Sequence, residues 1–464
     1  MNRERVAWII SITVLSLFAL QVPGSVASRD DDYAFVRKLV DIHRQVSVNY
    51  VENVDEDKLR DGAIDGMMGQ LDPFSVYIPP AEQEGFDRML EGSFKGVGIQ
   101  LDVSDDGKVE VVTPIDDSPA FRAGVMAGDV VLKVNGENIE GLKIADVIKK
   151  IAGPLDSTVK LTVRHVTGEE VTLSMNRQEI VVPTVKGYGR KDDNSWDFYI
   201  SNDPKIAYIR ITQFTPDTAE KLKNALVGAD ADINKPETYK GLIGDGMKAM
   251  ILDLRYNPGG RLDQAIAVVD MFINKGVIVS TKGRNRPEQK VEAKVEGTLP
   301  YFPMVVLVNE HSASASEIVA GSLMDNKRAL VMGTRSYGKG SVQEIMPLDN
   351  KGGELKLTVA YYYLPSGRLV HRKKDAKDWG VEPQVIIPMD EVAETQAMKE
   401  RFSAELMHRP TTGPSTQSIV MSATQPIDPQ LDSALKTMIG YVIFQGDRFT
   451  TASSAKPPAT QPVH

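Results

Sequence analysis

Cysteine is absent from all 464 residues. That removes a thiol nucleophile, a disulfide framework and any thiolate metal site. Histidine is nearly as scarce, with six in the chain, so there are few candidates for a conventional general base. A surplus of positive charge is also missing. The formal charge is −9, whereas a phosphate backbone would demand a basic face, so nucleic acid is not an expected partner. The apolar run "VAWIISITVLSLFAL" near the N-terminus is short for a membrane span.

That run follows "MNRER", with Arg3 and Arg5, and precedes "PGSVAS", which offers small residues at Ser25 and Ala27. The pattern reads as a signal peptide over residues 1–27, cleaved after Ala27, and it places the mature chain in the periplasm or outside the cell. If left uncleaved, the same segment would anchor the protein to the membrane. The length is too great for one core, and roughly two to four domains are expected. Residues 28–93 show helical periodicity, as in "YAFVRKLVDIHRQVSVNYV". Residues 94–180 switch to short β-rich runs broken by Gly and Asp-Gly turns, with two helical pieces, "SPAFRAG" and "KIADVIKKI". Over 181–390 continuous apolar strands ("KAMILDL", "MVVLVN") alternate with helices, which implies a mostly parallel sheet covered by helices. Residues 391–464 read as two helices around a Pro/Ser/Thr linker, followed by a disordered tail. The expected architecture is thus a multidomain α/β protein: a helical N-terminal region, a β-module and an α/β core. Residues 228–246 read as a surface insertion.

Three serines at alternate positions in "NEHSASASE" stand between an apolar strand and a helix. Ser314 and Glu317 form S-x-x-E, a capping box. The same geometry also suits a nucleophile at a strand-to-helix turn, with the N–H of Ala315 directed at a developing oxyanion. On the residues alone both uses stay open. A base is harder to find. His311 is too near in sequence to face Ser314, His43 and His165 lie in other regions, His464 is terminal, and His371 and His408 stand in polar, motif-free surroundings. Lys339 in "RSYGKGSVQ" is the alternative: a lysine becomes a base when desolvation or a neighbouring cation keeps its amine neutral. Gln343, four residues later, could hold that amine. "ILDLRYNPGG" follows a buried strand just as "NEHSASASE" does, so Gly259 and Gly260 could bring an N–H to the same sheet edge. In the β-module, "FKGVGIQL" sets the N–H groups of Val97, Gly98 and Ile99 in a glycine-containing turn before a strand, an arrangement that can capture a terminal carboxylate.

Taken together and in order, these motifs resemble the carboxyl-terminal processing (tail-specific) proteases, serine endopeptidases with an embedded PDZ domain. The resemblance runs over about residues 35–390 and rests on "LDPFSVYI", "FKGVGIQL", "SPAFRAGVMAGDVVLKVNGENIEG", "LDLRYNPGG", "SASASEI", "YGKGSVQ", "YYYLPSGR" and "GVEPQVIIP". It implies a PDZ domain at 94–180 and a protease core at 181–390. It also implies Ser314 as nucleophile, Lys339 as general base and Gln343 as its orienting partner. The oxyanion hole would come from Ala315 and one of Gly259 and Gly260. No metal or cofactor is expected. The partners would be protein or peptide substrates held by their C-termini, with terminal helices as the surfaces for self-association. The chain departs from the family pattern at His311 and Ala152, where relatives usually carry Gly and Arg, and at Arg261, where an apolar residue is common. Two other classes compete: a PDZ scaffold or peptide-binding protein that has lost its chemistry, and a histidine-dependent hydrolase using His371.

Overall fold

The computed structural model describes residues 23–104, 107–349, 352–407 and 428–452. The apolar run of the expected signal peptide lies outside them, as do His408, the Pro/Ser/Thr linker and the expected disordered tail. Among the described residues no helix is long and apolar enough to cross a membrane. The chain divides into two compact units, residues 1–77 and 78–464.

The first unit is helical, with α1 (Pro23–Asn49) and α2 (Glu56–Met68). Asp55 caps α2 by accepting the Lys58 N–H at 3.2 Å, and Glu56 and Asp57 complement the positive end of the helix. None of the α2 side chains is buried, and Tyr33, Phe35, Val36 and Val40 of α1 are exposed.

The second unit opens with α3 (Pro80–Glu91) and β1 (Ser93–Gly96). The β-module follows as β2 (Ile99–Val103), β3 (Val109–Pro114), α4 (Pro119–Ala123), β4 (Val130–Val134), α5 (Ile144–Ile151), β5 (Thr158–Arg164) and β6 (Glu170–Asn176). Its main strands pair antiparallel in the order β2-β3-β4-β5-β6, so β2 is an edge. Val111, Ala120, Val147, Leu161 and Val163 fill its core. β7 (Gln178–Val181) then pairs with β1, closing the two ends of the module against each other.

The α/β core is built from β8 (Lys205–Ile211), α6 (Thr218–Val227), β9 (Ala249–Asp253), α7 (Leu262–Asp270), β10 (Val277–Gly283), β11 (Arg286–Glu292), β12 (Met304–Val308), α8 (Ala315–Asp325) and β13 (Leu330–Gly333). It continues through β14 (Ser341–Pro347), β15 (Glu354–Tyr363), β16 (Val385–Ile386), α9 (Glu391–Glu405) and α10 (Pro429–Ala452). Strands β8, β9, β12, β13 and β16 form a parallel sheet in that order, edged by the antiparallel segments Val185–Lys186 and Tyr199–Asn202. Side chains alternate across a strand, and both faces here are covered. Met250, Leu252, Val306 and Val308 join the cluster under α6, α7 and α8, whereas Ile251, Val305 and Leu307 meet Ala434 and Met438 of α10. That is why these strands read as unbroken apolar runs. Strands β14, β15, β10 and β11 pair antiparallel in a second sheet. The segment 228–246 is no loose surface insertion: Ala231 and Leu242 are buried in the main cluster, and its chain is bonded to the end of α6.

Candidate active site

The loops after β9 and β12 leave the same edge of the parallel sheet, as neighbouring parallel strands require. Asn257, fully buried, ties them together. Its amide nitrogen donates to the Ile211 carbonyl at 2.8 Å, and its side-chain oxygen accepts the Gly259 N–H at 2.8 Å. Its backbone carbonyl accepts from the Ala313 N–H and the Ser316 hydroxyl, both at 3.0 Å. Ser312 donates to the Leu254 carbonyl at 2.8 Å and accepts the Asn309 N–H at 2.9 Å. Ser312 and Ser316 are wholly buried, so two of the three serines are occupied in fastening the turn.

Ser314 differs from both. It is half-buried and adopts φ +55°, ψ −115°, a left-handed conformation at the junction of strand and helix. Such a backbone costs a non-glycine residue about 1–3 kcal/mol and persists only where its surroundings over-determine it. The capping expectation is realised through Glu317, whose carboxylate accepts the Ser314 N–H at 2.8 Å. The Glu317 N–H is taken by the Ser314 carbonyl at 2.9 Å.

Glu317 also fixes the lysine loop. The oxygen that accepts from Ser314 accepts the Lys339 N–H at 2.8 Å. Its other oxygen accepts the Gly338 N–H at 2.7 Å and the Ser336 hydroxyl at 2.5 Å. The amides of Ser314 and Lys339 are therefore separated by less than the sum of two hydrogen bonds. Tyr362, buried on β15, donates toward the carbonyls of Lys339 (2.6 Å) and Ser314 (3.1 Å) and toward Glu317 (3.3 Å). Burial pushes the Glu317 carboxyl up, and the converging donors oppose that shift because they suit the ionised form. The Lys339 amine moves down: burial is the largest cause and the Lys356 cation the next, with Glu317 opposing both. Gln343, on β14, donates its amide nitrogen to Ser341 (2.8 Å) and Thr358 (3.2 Å), which leaves its amide oxygen as the acceptor an amine could use.

Two N–H groups border Ser314. Ala315 is the first residue of α8, so its N–H has no acceptor within the helix. In the glycine pair, Gly259 packs against the Ser314 turn: a Cβ there would lie 2.7 Å from the Ser314 Cβ and 3.0 Å from the Ala315 nitrogen. Its own N–H is already bonded to Asn257. Gly260 pairs with Phe214 through its neighbours, Phe214 donating to the Gly259 carbonyl and Arg261 to the Phe214 carbonyl, each at 2.9 Å. The Gly260 N–H meets no acceptor among the described residues. The sequence left Gly259 and Gly260 equivalent; the hydrogen bonding separates them.

The remaining sequence features fall into place more simply. His311 is exposed and stacks on Tyr256 at 5.3 Å, His43 bonds Glu56, and His165 pairs with the buried Asp129. His371 lies beside Gly340 with its ring 4.8 Å from that of Tyr361. Arg261 turns outward to the exposed Asp263. Ala152 ends α5, and a guanidinium reaches that helix end from Arg177, whose Nε donates to the Ile151 carbonyl at 2.7 Å. Glu317, Tyr362 and Asn257 were missed as parts of the site. "SASASE" signalled only a cap, and nothing local marks a tyrosine inside "AYYYLP".

In the β-module, Val97 and Gly98 are buried where the chain enters the edge strand β2. The Val97 carbonyl accepts from Ala120 at 2.9 Å, and that of Gly98 accepts from Ile115 (2.9 Å) and the Ser118 hydroxyl (3.1 Å). Gly98 has φ +78°, and a Cβ there would fall 2.2 Å from that of Ser118, so only glycine fits. The N–H groups of Val97 and Gly98 meet no acceptor among the described residues. They lie next to Ile99, at the start of the edge strand.

Comparisons with known proteins show what the chain is similar to. The model of peptidase family S41 matches residues 205–387, a PDZ domain model matches 110–165, and the model of the activating protease CtpB N-terminal domain matches 19–81. The carboxy-terminal-processing protease of Bartonella bacilliformis is 35% identical over 388 residues, covering 83% of this chain and 82% of that protein. The carboxy-terminal processing protease CtpA of Bacillus subtilis is 35% identical over 350 residues, covering 75% and 68% respectively. Among solved structures, the photosystem II D1 C-terminal processing protease aligns at 27% identity with a TM-score of 0.42, covering 78% of this chain and 90% of that one.

Proposed function

The chain belongs to the S41 family of carboxy-terminal-processing serine peptidases, and on that premise we propose that it cleaves protein substrates near their C-termini with a Ser314–Lys339 pair. Lys339, its amine biased toward the neutral form by burial and by Lys356, takes the Ser314 proton. Ser314 attacks the scissile carbonyl, and the N–H groups of Ala315 and Gly260 receive the oxyanion. The lysine then delivers its proton to the leaving amine, and water repeats the cycle on the acyl-enzyme. Gln343 accepts a hydrogen bond from the amine and holds it toward the serine. Val97, Gly98 and Ile99 of the PDZ domain hold the substrate's terminal carboxylate while its last residues add to the edge of β2. Export to the periplasm or beyond, directed by the N-terminal segment, completes the reading.

The observation that carries the pair is the single Glu317 oxygen accepting the N–H of both residues. Incubation of the full chain with an unstructured protein, followed by mass spectrometry, tests it. Ser314→Ala and Lys339→Ala should each abolish cleavage, and His371→Ala should retain it. Cleavage by all forms, or dependence on His371, would overturn the assignment. Amidation of the substrate C-terminus should raise KM, which reads the PDZ role separately.

A further inference from the structure

The base loop is wrapped by a segment whose charge runs against that of the chain. Residues 370–381 fold back over residues 336–340. The Arg372 N–H donates to the Gly338 carbonyl at 2.8 Å, and the Val381 N–H donates to the Ser336 hydroxyl at 2.6 Å. A Cβ on Gly338 would lie 2.8 Å from both Arg372 and Trp379, and one on Gly340 would lie 2.3 Å from the His371 nitrogen. The segment is therefore packed directly on the loop that carries Lys339.

Its outer surface carries Arg372, Lys373, Lys374 and Lys377, all exposed. None of the four has a carboxylate partner among the described residues. Arg372 stacks 4.7 Å from the Trp379 ring, and Lys373 sits 5.3 Å from that of Tyr361. Of the nearby acids, Asp378 is engaged by Arg335 and Arg368, and Glu382 by Arg335. Within residues 370–382 only the exposed Asp375 remains to offset four cations. In a chain of net charge −9, this is a local reversal of sign on the segment packed against the loop that carries the proposed base. An acidic polypeptide approaching the molecule is repelled by the whole and attracted here.

We propose that this patch is a docking surface for acidic residues of the substrate, so that the enzyme prefers Asp- and Glu-bearing segments beside the cleaved bond. The inference deepens the peptidase reading and rests on it. Three separate lysines on flexible stems suit carboxylates spread along a peptide better than one phosphate, which calls for a nest of N–H groups or a bidentate arginine fork.

The test uses two unstructured peptides that differ only in four Glu or four Gln placed on both sides of the cleaved bond. At low salt the Glu peptide should show a kcat/KM about 5-fold higher, which a few exposed pairs can supply, and the gap should close at high salt. Lys373→Gln/Lys374→Gln/Lys377→Gln should remove the preference and leave the Gln peptide's rate unchanged. Lys→Glu at the same positions should reverse the preference. Equal rates for wild type on both peptides, or a preference that survives both variants, would overturn the proposal. So would binding of anionic lipid vesicles that the Gln variant loses while its peptide preference persists. Fluorescence anisotropy of the same peptides on Ser314→Ala reads docking without chemistry. Charge-dependent binding there without cleavage by the wild type would leave the docking surface standing and remove the peptidase reading.

Discussion

At the scale of single residues, the proposed Ser314–Lys339 pair depends on one amine being neutral. Because the Lys339 ammonium is disfavoured by burial and by Lys356, kcat/KM should rise with pH through one ionisation below the ordinary lysine value of 10.5 and then level off. Lys356→Gln removes the neighbouring cation and should shift that profile to higher pH, which a pH–rate series checks. Stability follows pH in the same direction. A depressed folded pKa means the unfolded chain binds the proton more tightly. The native state is thus penalised below the folded pKa and recovers as pH climbs toward 10.5. Lys339→Met should therefore be inactive yet melt up to about 3 °C higher at neutral pH, the gain vanishing in alkali. Ser314 and Lys339 were legible in the sequence because their loops carry punctuation: serines at a strand-to-helix junction, and glycines flanking a lysine. That the Gly259 N–H is bonded while the Gly260 N–H meets no acceptor among the described residues was beyond the sequence, since it turns on where one Asn257 oxygen points, and spacing holds no record of that.

At the scale of elements, the strand-to-helix turn and the base loop act as one part, because Glu317 grips both. Glu317→Gln exchanges an acceptor for an NH2 group among five donors. It should lower kcat by about 100-fold while KM changes little, with circular dichroism unchanged. Asn257→Ala leaves the Gly259 N–H and the Ile211 carbonyl without their partner in a buried setting. It should cost about 1–3 kcal/mol in denaturant unfolding and lower kcat as well. Elements themselves were well signalled. The covered strands read as apolar runs because both faces are buried. The segment 228–246 misled because its Gly, Asp and Pro content marks turns, whereas Ala231 and Leu242, which anchor it, are isolated apolar residues without periodicity.

At the scale of the whole molecule, the residue just before α10 reaches back to the loop after β9. Arg255, buried, is held between Asp253 (2.7 Å) and Asp428 (2.8 Å), and it stands two residues before Asn257. Removing one partner of such a buried pair typically costs about 3–5 kcal/mol. Asp428→Asn should approach that loss in thermal or denaturant unfolding, whereas Arg255→Met paired with hydrophobic replacements of both acids should recover much of it. This contact could not be foreseen. It joins residues 173 positions apart, and charged residues leave no hydrophobic pattern to follow.

The α10 cover over Ile251, Val305 and Leu307 also has a meaning in time. A ribosome delivers residues 429–452 after every strand they cover, so the back of the sheet stays wet and Arg255 lacks one of its acids until the helix arrives. The nascent chain thus carries Ser314 and Lys339 long before it can brace them. Translation order itself postpones a fully braced Ser314 turn until the codons for α10 have been read.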